Sequence, residues 1–129
     1  MATSLRDQLA GIDAATEQRL ITVRRELHAQ PELSFREDQT AEYITRSLDR
    51  SPVENLKDRV GGTGVVADVR GKLPGRSVLV RADMDGLPLT EAGDLPFRSR
   101  RDGVMHACGH DVHMAIALEL AAALSGNRD

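Results

Sequence analysis

A chain of 129 residues with 40% apolar and 29% charged side chains has the composition of one modest soluble domain rather than a disordered segment. Its net charge of −3 argues against a nucleic-acid surface, which needs clustered basic residues. A single cysteine excludes an internal disulfide, and the chain reads as a reduced, cytoplasmic protein.

The N-terminal stretch MATSLRDQLAG carries an acidic residue and lacks the sustained apolar core of a signal peptide. The spacing then predicts a helix over 14–29, with Leu20, Val23 and Leu27 on one face and Asp13 as N-cap. Pro31 stops it. The stretch SFRE, Ser34 to Glu37, has the form of a capping box and predicts a second helix with Ala41, Ile44 and Leu48 inward, ending at Pro52. Val65, Val66 and Val69 read as a strand, GKLPG as a turn, and Val78 to Ala82 as a second strand beside the first. TEAGDLPFRSRRDG shows no periodicity and reads as a loop. From Asp111 to Leu124 the residues are almost continuously apolar, interrupted by Glu119, and too short to span a bilayer. They predict a helix stopped at Gly126 that seeks cover on more than one side. With aromatics at 2% and no Trp, the core rests on Leu, Val, Ile and Ala.

Chemistry concentrates in VMHACGHDVHM, residues 104–114, which holds three of the four histidines and the cysteine. A thiolate and an imidazole on either side of Gly109 reach one ion if the backbone turns sharply, which glycine permits. Cys108 and His110 are therefore candidate ligands, with zinc favoured by the thiolate and manganese, cobalt or nickel also accepted. The alternative for Cys108 is a small buried hydrophobe. A cysteine nucleophile with His106 or His110 as base fits the close covalent spacing poorly. His110 is expected in the turn before the last helix and His113 in its first turn, as a further ligand or a packed helix-face histidine. His106 is a ligand, a group behind a ligand, or a strand-end histidine. Asp111 either caps the helix or orients an imidazole. In RADMDGLP, Asp83 and Asp85 stand at a strand end, where they suit metal ligation or an exposed turn equally. His28 sits near a helix C-terminus with nothing local to make it catalytic.

Three segments, RRELHAQPELSFREDQTAEYI (24–44), GTGVVADVRGKLPGRSVLVRADMDGLP (62–88) and GVMHACGHDVHMAIALELAAAL (103–124), resemble the start of the metal-dependent amidohydrolases of the aminoacylase and carboxypeptidase-type metallopeptidase family. The branch they look most like contains hippurate hydrolase and the hydrolases of N-acyl and indole-acetyl amino acids. The resemblance implies an α/β fold. Residues 1–129 would form the N-terminal portion of a zinc-peptidase-like α/β/α catalytic domain, without the lid and dimerisation domain. It implies two divalent metals, zinc or manganese, and hydrolysis of the amide of a small-molecule N-acyl amino acid, with neither nucleic acid nor membrane as partner. By position, Cys108 and His110 match metal ligands. Asp85 matches the aspartate that other branches place beside a ligand histidine, and it takes the catalytic assignment; Asp83 stands where that histidine would be. The family's general-base glutamate lies in a Glu-Glu pair beyond the CGHD motif, past Asp129. The expectation is a chain inactive alone or active only with a complementing chain, with a homodimer as the partner expected in the full-length family member. The alternative is a non-catalytic metal-binding or interaction fragment.

Overall fold

The computed structural model describes residues 12–126. Helix α1 spans Ala14–His28 and α2 Asp38–Asp49. Strands β1, Glu54–Val60, and β2, Gly64–Asp68, follow, and helix α3, His110–Gly126, closes the order.

Asp13 caps α1 as expected, its carboxylate accepting the Thr16 N–H at 2.7 Å. The second cap is not the one the sequence suggested. Phe35 takes φ +63, which breaks any helical run out of Ser34, so Ser34 cannot serve as N-cap. Glu37 stands at the N-cap position without a capping side-chain bond, and Glu32 meets the helix instead, its carboxylate accepting both the backbone N–H and the hydroxyl of Thr40 at 2.8 Å. Glu37 accepts from the Thr63 hydroxyl instead. The inward face of α2 is as read, with Ala41, Ile44 and Leu48 buried.

The hairpin differs from expectation. β2 carries Val65 and Val66 but ends before Val69, and its antiparallel partner is β1, the polar stretch ENLKDRV, rather than residues 78–82. Two register irregularities and positive φ at Asn55 and Arg59 give β1 a bulged course, and the alternation of its side chains between half-buried and exposed stops after Lys57. Only Leu56 of this strand joins the core. Val78 to Ala82 form no strand among the described residues, and Val78 and Leu79 stay exposed. Residues 90–103 form neither helix nor strand, as expected; isolated bridges Leu33–Gly86 and Leu87–Met105 flank the loop.

One apolar cluster of Leu27, Ile44, Leu48 and Met114 joins the three helices, and Val53, Leu56, Val65 and Ala67 pack on it from the hairpin side. α2 lies between the hairpin and α3, while α1 packs along α3. Helix α3 buries Met114 and Ala115 but leaves Val112, Ile116, Leu120 and Leu124 exposed as a ridge at four-residue spacing. No helix among the described residues is long and apolar enough to cross a membrane.

Met114, 1% exposed at the centre of the cluster, should cost about 2–5 kcal/mol when cut to alanine. Ile116→Ala on the exposed ridge should change stability by no more than about 0.5 kcal/mol. Urea unfolding of the two variants side by side checks this, and equal losses would place the core elsewhere.

Candidate metal centre

Two extended segments carry the site. Met105 and Leu87 exchange backbone hydrogen bonds, Met105 N–H to Leu87 O at 3.0 Å and Leu87 N–H to Met105 O at 2.8 Å. This pins residues 104–106 against 85–87. Gly86 N–H donates to Glu32 O, and a Cβ at Gly86 would lie 3.0 Å from Pro31, so the layers meet closely there. The chain then turns through Cys108 and Gly109 into α3. Gly109 holds φ +82 with open space where a Cβ would stand, so the backbone angle, not crowding, calls for glycine.

His110 is the first residue of α3 rather than part of the preceding turn. Its Nδ1 lies 2.9 Å from the backbone carbonyl of Asp85 and 3.0 Å from Asp85 Oδ1. This is the arrangement by which a carboxylate fixes a ligand imidazole and leaves the far nitrogen free for an ion. Asp85 is itself fixed, since the Ser34 hydroxyl donates to its Oδ2 at 2.6 Å. That hydroxyl holds the Asp85 carboxyl below its ordinary range; partial burial opposes the shift and His110 adds to it. Cys108 is exposed, and so is His113, whose ring centroid lies 5.9 Å from that of His110. Asp83 turns to Arg81 in an exposed ion pair. Asp83 and Asp85 thus have different surroundings, one facing solvent and one facing the histidine.

Asp111 neither caps α3 nor supports a ligand imidazole. It is buried inside the first turn, where its Oδ2 receives Arg24 Nε at 2.8 Å and faces His28 Nδ1 at 2.8 Å. His28 is the residue that sequence reasoning passed over. It is buried, and its Nε2 faces Glu91 Oε1 at 3.0 Å. Glu91, in turn, accepts the Ser99 N–H at 2.7 Å. Burial pushes the Glu91 carboxyl up, but the Ser99 N–H, His28 and Arg98 together bring it below its ordinary value. The partners of His28 lie 63 and 83 residues away in sequence, so no local pattern announces them.

His106 is buried with both ring nitrogens lacking a hydrogen-bond partner, as does Asp111 Oδ1. Burial lowers the His106 pKa, against the pull of the nearby Asp111. Unpaired buried polar atoms of this kind cost about 1–3 kcal/mol and mark a place where a further polar group belongs.

The donor set fits a divalent ion in kind: an exposed thiol, an oriented imidazole, and an orphaned imidazole two residues before the thiol. It does not enclose one. Among the described residues no group of three His, Cys, Asp or Glu side chains is placed to hold a metal ion. Zinc takes about four ligands, so these residues alone would supply only part of a coordination shell.

Residues 79–129 match the family described as Peptidase family M20/M25/M40. The chain is 50% identical over 98 residues to N-acetyldiaminopimelate deacetylase of Anoxybacillus flavithermus, covering 76% of this chain and 26% of the relative. It is 45% identical over 116 residues to N-acetylcysteine deacetylase of Bacillus subtilis, covering 90% of this chain and 30% of the relative. A crystal structure of a dinuclear metal binding peptidase from the M20 family, from Bacillus subtilis, superposes with a TM-score of 0.84 at 44% identity, over 90% of this chain and 32% of that one. Another, attributed to an aminohydrolase of methicillin resistant Staphylococcus aureus, reaches 0.87 at 42% identity, over 97% and 33%. The chain therefore spans between about a quarter and a third of the length of the relatives it matches. In sequence and in fold it is similar to part of the M20 hydrolases, in an α/β arrangement of three helices and an antiparallel hairpin.

A carboxyl whose folded pKa is depressed stabilises fully above its unfolded value and loses that contribution as pH falls through the folded value. For Glu91 the loss should begin below about pH 4.3, the ordinary glutamate value. Glu91→Gln should be less stable at pH 7, by about 1–3 kcal/mol, and should show a shallower acid limb. Urea midpoints between pH 7 and pH 3 check this; parallel profiles for the two proteins would remove Glu91 from the acid response.

Proposed function

We propose that the chain is the N-terminal part of a metal-dependent amidohydrolase of the M20 type, acting on the amide bond of N-acyl amino acids, and that it contributes two metal ligands. The observation that carries the reading is the Asp85–His110 contact beside Cys108. A carboxylate fixed by Ser34 holds one nitrogen of the imidazole, leaving the other free to bind, next to an exposed thiol. The similarity of the chain to two deacetylases and to a dinuclear metal binding peptidase supports it.

In this reading Cys108 and His110 hold the ion. A divalent ion supplies Lewis acidity toward an amide carbonyl and activates water at neutral pH. Asp85 keeps the imidazole of His110 in one tautomer and one orientation, and the hydroxyl of Ser34 keeps Asp85 from swinging away. Of the other candidates, His113 lies beside His110 with ring centroids 5.9 Å apart, His106 is buried, and Asp83 and Asp111 are engaged by Arg81 and by Arg24 with His28. The open side of the site, where Cys108 and His113 are exposed, is where further ligands, substrate and a general-base carboxylate would approach. Zinc suits the thiolate and manganese the carboxylates. A second reading keeps the oriented His110 and the exposed Cys108 without the chemistry: a chain that binds metal without turning over substrate.

Calorimetric titration with zinc and manganese under reducing conditions tests the assignment. Cys108→Ala and His110→Ala should each weaken binding at least tenfold, and Asp85→Asn by a comparable factor through loss of orientation. Equal affinities in all four proteins would overturn it. The 129-residue chain alone should release no amino acid from N-acetylated substrates, and supplying the remaining length of an M20 relative should restore release. Metal uptake with no turnover after that addition would select the second reading.

A further inference from the structure

His28 has no part in the reaction just described, yet it is among the most buried polar residues, at 2% exposure. Its two nitrogens bind carboxylates on two different elements, Asp111 in the first turn of α3 and Glu91 in the irregular segment before the site. Arg24, one turn earlier on α1, supports Asp111 from the same side. Phe97 closes the pocket edge-on to the imidazole at 5.6 Å, and the guanidinium groups of Arg24 and Arg25 lie over its ring. The chain of contacts continues through Ser99. Its N–H donates to Glu91 and its hydroxyl to the carbonyl of Val104, the residue that opens the ligand segment. One imidazole thus ties α1 to both ends of residues 104–111, to Val104 through Glu91 and Ser99, and to Asp111 directly.

We infer that His28 is a positioning residue: through Asp111 and Glu91 it fixes the turn that presents Cys108 and His110. The role of that turn in holding a metal rests on the reading proposed above, but the fixing of the turn does not. Buried ion pairs add little net stability compared with apolar packing of the same volume. What they supply here is a definite geometry on a segment that has almost no apolar anchorage of its own. Cys108 is exposed, and Gly109 adds backbone freedom between the two candidate ligands. Without the His28 clamp, Asp111 keeps Arg24 alone and loses its link to Glu91 and Ser99; the start of α3 is then held by that ion pair, by the buried Met114, by the backbone bonds of Val112 N–H and His113 N–H to Gly109 O at 3.0 and 3.1 Å, and by the contact of His110 with Asp85.

The test is amide hydrogen exchange by NMR on the metal-free chain, comparing wild type, His28→Gln, Glu91→Gln and a core control, Leu48→Ala. Leu48→Ala should accelerate exchange by a similar factor throughout α2 and α3. His28→Gln should accelerate the Val112 and His113 amides at least tenfold beyond the change in α2, and Glu91→Gln should do so to a smaller degree. Should His28→Gln fail to fold, Glu91→Gln carries the comparison. Uniform acceleration in both polar variants would make the network a general stabiliser and overturn the inference. Zinc titration of the same four proteins adds the second readout. Zinc affinity should fall at least fivefold in His28→Gln and stay unchanged in Leu48→Ala; a fall in Leu48→Ala as large as that in His28→Gln would overturn the inference. If wild type shows no Cys108-dependent zinc binding, the metal reading fails, and the exchange pattern alone decides the role of His28.

Discussion

Asp111 is almost wholly buried one residue past His110, and a buried carboxylate must be paired or it will not stay charged. Much of the local architecture follows from meeting that requirement. α1 must lie along α3 with Arg24 and His28 turned toward it. His28 meets Asp111 through one nitrogen and Glu91 through the other, so the irregular segment after Gly86 must bring Glu91 to it. That segment then has its course set by a polar contact rather than by a ladder or a helix. Residues 90–103 are therefore held without regular secondary structure.

The sequence made helices legible and the polar connections between them largely illegible. The inward face of α2 and the Asp13 cap depend on neighbours within four residues, and periodicity reports such neighbours directly. β1 escaped notice because ENLKDRV has one core-facing apolar residue, Leu56, and its bulges blur the two-residue alternation that identifies a strand. Val78 to Ala82 misled in the opposite sense. The residues are β-prone, yet among the described residues they form no ladder with β2 or with any other segment. The capping box at Ser34 failed because its second residue, Phe35, adopts a left-handed conformation that no propensity favours.

The candidate site divides along the same line. Cys108, Gly109 and His110 could be named from spacing, because their relation is local. The orienting contact from Asp85 was half visible, as an aspartate of uncertain use, and its distinction from Asp83 appears only once Ser34 and His110 are seen to converge on it. His28 was dismissed because its two partners come from distant segments. Asp111 was read as a cap or as a partner of an imidazole, and it meets an imidazole, but that of the distant His28 rather than of a neighbouring histidine.

The valine and leucine side chains that stay in water have a thermodynamic consequence. The outer ridge of α3 keeps 37–53% of its surface in water, while Val78 and Leu79, at 86% and 89% exposure, are almost as hydrated in the folded chain as in the unfolded one. That shared hydration therefore cancels out of the unfolding reaction. Heat-capacity increments and denaturant slopes both scale with newly exposed surface. This chain should thus unfold with a smaller increment and a shallower slope than its length alone would imply, giving a broad melting transition and a flat stability curve.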